Sequence, residues 1–421
     1  MSDKEKSAGI GARSGKWTLL AFLCGIFFIY TVDRALLGLL AIPMQSEMEI
    51  SDVRFGILNS AVFWTYAAVV PFAGLVGDRF PRRAVIGVAA IVWSAMTILA
   101  GFAQGFWSLA LLVSFAITMP QTLYGPAANA LIAQEHVETR TVALSLHQGA
   151  FYAGWFASGA AVALALSVFG SWRAAYFTFG ALGLVAGVAF LVFGRRKGGD
   201  GRHEAAQAKK EPVSASLKAF FGCPSALLAA SGYVAVVFVG FGYSAWGPKF
   251  VAQKFSLTPA AAGTGVMFWH FAAAFAAILA AGFVTDAAVK RWPRFRLALQ
   301  SVSLFAAAPM LAVFGLSSAL VAVWAAAAAY GALRGLFEAN AFASIFDVVP
   351  ARHRAGAVGF LNVIAGLVGS LAPIILGWLS QTRGQSGFEV GFAAMGGVLA
   401  VAALLIAVSA LFTFKNDRIR E

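Results

Sequence analysis

Twelve long apolar runs, separated by short charged punctuation, constrain this chain more than any other feature of its sequence. A helix that crosses the hydrocarbon core of a bilayer needs about 20 mainly apolar residues. The runs extend from Trp17 to Pro43, Phe55 to Val76, Ala84 to Ala103, Phe106 to Ala130, Thr141 to Leu166 and Trp172 to Phe193. After a polar stretch they resume at Pro224 to Val251, Ala260 to Asp286, Leu297 to Leu316, Ala319 to Phe346, Ala355 to Leu379 and Phe388 to Phe414. With 60% apolar and 12% charged residues, against roughly 45 to 50% and 25% in soluble domains, the chain lacks the polar surface to cover a core in water. The runs do not alternate as outer-membrane strands do, and lipid tolerates no unpaired backbone. The expected fold is an all-α polytopic membrane protein of twelve transmembrane helices, helices 1 to 12 in chain order.

The net charge of +13 would fit a nucleic-acid binder only if the basic residues formed one soluble face. They follow the membrane instead, and no nucleic-acid partner is expected. Lys4, Lys6, Arg13 and Lys16 precede helix 1, and Arg79, Arg82 and Arg83 follow helix 2. Basic residues also follow helices 4, 6, 8, 10 and 12, whereas the opposite loops hold Arg54, Arg173, Lys254 and Arg383. The positive-inside rule then places both termini in the cytoplasm of a multi-pass protein of the cell (plasma or inner) membrane. The first run is too long for a signal peptide and contains Asp33 and Arg34, so it reads as a retained helix. Cys24 and Cys223 are far apart in the sequence and imply neither a disulfide framework nor a metal site, and no cofactor is expected.

The stretch from Gly194 to Lys218 is the one long break in hydrophobicity. It divides the chain into a tail (1–16), a six-helix bundle (17–193), a cytoplasmic linker (194–218), a second six-helix bundle (219–414) and a closing tail (415–421). The halves also repeat. Gly74, Asp78, Arg82 and Arg83 after helix 2 recur as Gly282, Asp286, Lys290 and Arg291 after helix 8, each displaced by 208 positions. Repeated bundles around one site are how many secondary transporters expose it alternately to the two sides.

The run Gly74-Leu75-Val76-Gly77-Asp78-Arg79-Phe80-Pro81-Arg82-Arg83 resembles the loop signature of the major facilitator superfamily, with Pro81 in place of its second glycine. Tyr30-Thr31-Val32-Asp33-Arg34, Phe63-Trp64-Thr65-Tyr66 and the Ser171-Trp172-Arg173-Ala174-Ala175-Tyr176-Phe177 opening of helix 6 resemble the anion:cation symporters and the neighbouring Spinster-like proteins. Those families place an Arg and, seven residues later, a Glu in helix 4, where this chain has Ser114 and Gln121. The Gly-Pro-x-x-Gly-Gly run of drug:proton antiporters and the Pro-Glu-Ser-Pro-Arg run of sugar porters are both missing. The resemblance implies a conformational latch formed by Gly74, Asp78, Arg79, Arg82, Arg83 and Arg140, with Asp286 as the repeat of Asp78. In it the Asp78 carboxylate sits near the N-terminus of helix 11, where the helix dipole favours negative charge.

Ionisable side chains inside a bilayer cost a few kcal/mol each and are functional by default. Asp33 and Arg34 in helix 1 and Arg334 and Glu338 in helix 10 are such groups, with Lys249 nearer the outer end of helix 7. Arg334 and Glu338 are four residues apart and share a helix face. Asp33 and Arg34 are adjacent and point about 100° apart. The resemblance implies that helices 1, 4, 7 and 10 line a central cavity. When all four groups are ionised their charges cancel; protonating Glu338 or Asp33 would leave an arginine to take an organic anion by a charge-assisted hydrogen bond. These four residues are therefore the expected substrate and proton-coupling groups. The uncharged or titratable cavity candidates are Tyr30, Trp64, Gln121, Tyr124, His147, Gln148, Tyr152, His270, Asn340 and Asn362.

The expected function is a secondary active transporter of a small organic anion of the carboxylate class, coupled to protons in symport and working as a monomer among membrane lipids. The alternative is a Spinster-like carrier of lysolipid or another amphipathic molecule. An enzyme is not expected: the five histidines are dispersed, and no motif joins a nucleophile to a base or gathers metal ligands.

Overall fold

The structure is a computed structural model and describes residues 3–193 and 213–419. Twelve helices among the described residues are long and apolar enough to span a bilayer. Helices 1 to 6 are Gly15–Leu39, Asp52–Val70, Arg82–Ala100, Phe106–Glu135, Val142–Phe169 and Trp172–Phe193. Helices 7 to 12 are Pro224–Lys254, Pro259–Val289, Phe295–Leu316, Leu320–Phe346, Ala351–Arg383 and Gln385–Asp417. No strand occurs among the described residues. The chain is an all-α polytopic membrane protein.

The break expected at Gly194 to Lys218 lies mostly outside the described residues, but its last part is ordered into a short amphipathic helix, Val213–Phe221, that leads into helix 7. Another short helix, Ala41–Met48, follows helix 1. It ends on Glu49 in the left-handed region at φ 50°.

The chain forms two compact units, Met1–Ile50 with Trp64–Gln207, and Ser51–Phe63 with Ala208–Glu421. In the first, helix 1 packs on helix 5 and helix 3 on helices 4 and 6; in the second, helix 7 packs on helix 11 and helix 9 on helices 10 and 12. The same pairings six helices apart are the structural form of the repeat read from the sequence. The first turns of helix 2 belong to the second unit because their small face fits helix 11. A Cβ on Gly56 would strike the Pro373 carbonyl, the Ser60 hydroxyl donates to Ser370 O, and Phe63 stacks on Phe241.

Four spans depart from a regular α-helix near polar groups, among them helix 12, with a π-helical segment at Ser409–Thr413. Helix 4 contains a π-helical segment, Ala110–Ile117, where the Thr118 hydroxyl donates to Val113 O at 3.0 Å; such wide turns recur at functional positions. Helix 10 is interrupted between Glu338 and Ala341, where Asn340 Nδ2 donates to Thr285 Oγ1 at 3.3 Å. Helix 11 is broken at Ser370, three residues before Pro373.

Candidate functional site

In the second unit, small residues bring a charged group of helix 10 against helix 8. A Cβ on Gly331 would strike the His270 carbonyl and one on Gly335 the Ala274 carbonyl, so only glycine allows this crossing. The approach sets Arg334 beside His270. The guanidinium donates to Glu338 Oε1 from Nε at 2.9 Å and from NH2 at 2.8 Å, and to His270 Nε2 from NH1 at 3.1 Å. Arginine only donates, so His270 Nε2 must hold a lone pair and the imidazole is neutral, with its proton on Nδ1. Tyr243 and Tyr330 wall the imidazole at centroid distances of 4.7 and 4.8 Å. On helix 7, Gly240 leaves the room that the guanidinium fills: a Cβ there would stand 3.3 Å from NH1. The Arg334 and Glu338 side chains are 16% and 19% exposed, so neither is sealed in the packing between helices.

In the first unit, helix 1 presents Tyr30 and Arg34 one turn apart. Arg34 NH1 donates to the Tyr30 hydroxyl at 2.9 Å, and its guanidinium carbon lies 5.6 and 5.7 Å from the Tyr30 and Tyr66 ring centres, within cation–π range. Behind them, the Tyr124 hydroxyl donates to Leu23 O at 2.7 Å and meets His147 Nε2 at 2.9 Å. The hydroxyl has one proton and spends it on the carbonyl, so His147 Nε2 is the donor in that pair. Phe27 stacks on the His147 ring at 4.4 Å. Asp33 points elsewhere, into helix 3: its Oδ2 accepts a long bond from Thr97 Oγ1 at 3.4 Å. Among the described residues it has no ion-pair partner, and it faces away from Arg34, as two adjacent helical residues do.

The other candidates are dispersed. Gln121 is buried in helix 4, and Trp64 and Gln148 are exposed. Tyr152 meets Phe151 edge-on, Asn340 serves the break in helix 10, and Asn362 accepts from the Tyr233 hydroxyl at 2.8 Å. The surroundings of Gly74 and the side chains of Asp78 and Asp286 lie outside what the structure describes. Arg79 and Arg140 are exposed. Arg82 NH1 donates to Gln134 Oε1 at 3.1 Å, and Arg83 NH2 pairs with Glu135 Oε1 at 2.8 Å. Arg82 and Arg83, the last two of the three arginines in the loop signature, thus tie the start of helix 3 to the end of helix 4. The second unit repeats this device with Arg296 and Asp347, 3.1 Å apart.

Three polar pairings are not foreseen from the sequence, although Arg173, Lys249 and Lys254 are each named there. Glu47 accepts from Arg173 NH2 at 2.7 Å and from Trp172 Nε1 at 2.5 Å, while Arg173 NH1 also donates to Gly101 O and Ala103 O. The opening of helix 6 is therefore a clasp on the short helix Ala41–Met48 and on the end of helix 3. Hydrogen bonds from Arg173 and Trp172 hold the Glu47 carboxyl below its ordinary range. Lys249 pairs with Asp52, which also accepts from Ser380 Oγ at 2.6 Å. Lys254 pairs with Glu389 at 2.6 Å. Sequence gave no spacing signal for these partners, which are remote along the chain.

The chain is similar to known transporters along most of its length. It is 26% identical to an MFS-type efflux pump of Mycolicibacterium smegmatis over 94% of this chain and 90% of that one. It is 25% identical to the hexuronate transporter of Bacillus subtilis over 92% of each. Among solved structures, a bacterial homolog of the human lysosomal transporter Spinster, in an inward-facing and unoccupied conformation, superposes with a TM-score of 0.83 at 20% identity, covering 96% of this chain and 99% of that one. The Major Facilitator Superfamily model matches residues 22–299 and 250–418. This chain, a transporter and not an enzyme, belongs to the Major Facilitator Superfamily.

Proposed function

We propose that the protein is a secondary active transporter that moves a small organic anion of the carboxylate class, coupled to protons, by alternating access. The observation that carries this reading is Arg334, fixed between Glu338 and a neutral His270 and still partly exposed. With Glu338 ionised the pair is neutral and the guanidinium is occupied. When Glu338 takes a proton, one carboxylate oxygen becomes a donor and Arg334 is left with two N–H groups aimed at an acceptor. A substrate carboxylate restores the paired geometry that guanidinium favours. Arg34, within cation–π range of two tyrosines, supplies a second cation in the first unit. Asp33, buried against helix 3 with a long hydrogen bond from Thr97, is the second proton-carrying candidate.

The bundles of residues 17–193 and 219–414, joined by the linker 194–218, form a monomer with both termini cytoplasmic in this reading, and Asp78 serves as its latch. The similarity to a hexuronate transporter supports a sugar acid as the carboxylate. The aromatic lining around Arg34 favours a second reading, a lysolipid or another amphipathic cargo.

A thermal-shift screen of the purified protein separates the two. A ligand that binds only the folded state at 100 times its Kd stabilises by about 2.7 kcal/mol. Glucuronate or galacturonate is expected to raise Tm, more strongly at acidic pH, and the shift is lost in Arg334→Ala. A shift with lysophosphatidylcholine and none with any carboxylate overturns the carboxylate reading in favour of the second.

A further inference from the structure

The second unit carries a groove that the transport reading does not use. It has a volume of about 450 Å³ and is floored by Val234 and Phe238 of helix 7, between helix 11 on one side and helix 12 on the other. Phe220 and Phe221 of the short helix Val213–Phe221 close one end, both edge-on to Phe360 of helix 11. Its lining holds one polar side chain, Ser231, whose hydroxyl donates to Leu228 O at 2.6 Å. The groove opens outward, because Val368, Val398 and Val401 on its lips are exposed. It lies on the side of helix 7 turned away from Gly240, the residue that faces Arg334.

The closed end is basic. Lys218 stands in the last turn of the short helix, Arg352 in the first turn of helix 11, and Lys415 and Arg418 at the end of helix 12, all exposed. The carboxylates that could offset them there are engaged: Asp347 pairs with Arg296, and Asp417 Oδ2 accepts from the Ser225 N–H at 2.9 Å. The short helix is pinned over the start of helix 11, with Ser216 Oγ 3.3 Å from His353 Nδ1.

We propose that this groove is a binding site for one anionic phospholipid, with an acyl chain laid along helix 7 and its phosphate at the basic end. A methylene is about as bulky as a water molecule, whose share of liquid volume is about 30 Å³, so the groove takes a chain of about 15 carbons. The chain alone confers little preference, since the bilayer it leaves is just as apolar. Selection comes from the headgroup, because juxtamembrane Lys and Arg attract negative lipid. An occupant would brace the short helix that joins the linker to helix 7.

The test is native mass spectrometry of the full chain titrated with dioleoyl-phosphatidylglycerol or dioleoyl-phosphatidylcholine. One phosphatidylglycerol is expected to be retained in preference to phosphatidylcholine. Lys218→Ala with Arg352→Ala should lower phosphatidylglycerol retention by about tenfold and leave phosphatidylcholine unchanged. Val401→Trp on the outer lip, or Val234→Trp on the floor, should lower retention of both. Equal retention of the two lipids that no variant alters overturns the proposal. So does loss of phosphatidylglycerol in the charge variants alone, which marks headgroup attraction without a seated chain, and so does a dimer that Val401→Trp dissolves.

Discussion

Arg334 donates to Glu338 Oε1 through two nitrogens, at 2.9 and 2.8 Å, and turns its third to His270 Nε2 at 3.1 Å. An imidazole that accepts from a guanidinium positions the cation without competing for its charge. His270→Gln, whose amide oxygen can still accept, is expected to keep substrate affinity within a few-fold. His270→Phe leaves NH1 without that acceptor and should weaken binding by about tenfold or more, the worth of one hydrogen bond to a charged group. Binding isotherms on the purified variants check this; equal affinities would remove His270 from the site.

The crossing of helices 8 and 10 that builds this contact depends on Gly331, because its Cβ position is occupied by the His270 backbone. Gly331→Ala is expected to force the helices apart and lower Tm, with an overpacking cost of about 1 to 3 kcal/mol, and to weaken substrate binding with it. Gly359→Ala, at a position with open space around it, serves as the control and should leave both unchanged.

Asp52 anchors the first turn of helix 2 through Lys249 and Ser380. The Lys249 side chain is 9% exposed, and a buried cation stripped of its partner costs about 3 to 5 kcal/mol. Asp52→Ala should therefore lower Tm strongly, whereas the double variant Asp52→Ala with Lys249→Met should recover most of the loss. Thermal unfolding of the three proteins measures it, and additive losses would contradict the pairing.

The Glu47 clasp predicts a small pH dependence of definite sign. Its folded-state pKa is depressed by the hydrogen bonds from Arg173 and Trp172, so its contribution is fully present above the ordinary glutamate range. It is lost as pH falls through the depressed folded value. The carboxylate is 48% exposed, which keeps the effect small through solvent screening. Glu47→Gln should flatten the acid limb of a Tm against pH curve and leave Tm at neutral pH slightly lower.

The architecture was legible because the bilayer imposes a length on every span, and twelve apolar runs of that length leave few alternatives. The pairing of Arg334 with Glu338 was legible for a local reason: four residues in a helix make one face. The direction of Asp33 was not, since one residue of helical rotation separates the neighbourhood of Tyr30 from that of Thr97 and no periodicity reports which side helix 3 occupies. Glu47, Asp52 and Glu135 escaped notice because each sits near a span end, where charge is unremarkable, and each gains its meaning from a partner far along the chain. The loop signature implies a latch role for Arg82 and Arg83, but their contacts with Gln134 and Glu135 could not be read from it, since those partners lie 52 residues along the chain.

The most direct measurement is uptake of radiolabelled glucuronate into proteoliposomes under an imposed inward proton gradient, for the natural protein, Glu338→Gln and Arg334→Ala. The natural protein should concentrate the anion and lose that ability when the gradient is collapsed. Glu338→Gln should still exchange internal for external anion but no longer respond to the gradient, and Arg334→Ala should do neither. Gradient-driven uptake that persists in Glu338→Gln combined with Asp33→Asn, or anion exchange that persists in Arg334→Ala, would contradict the coupling of proton and anion at this pair.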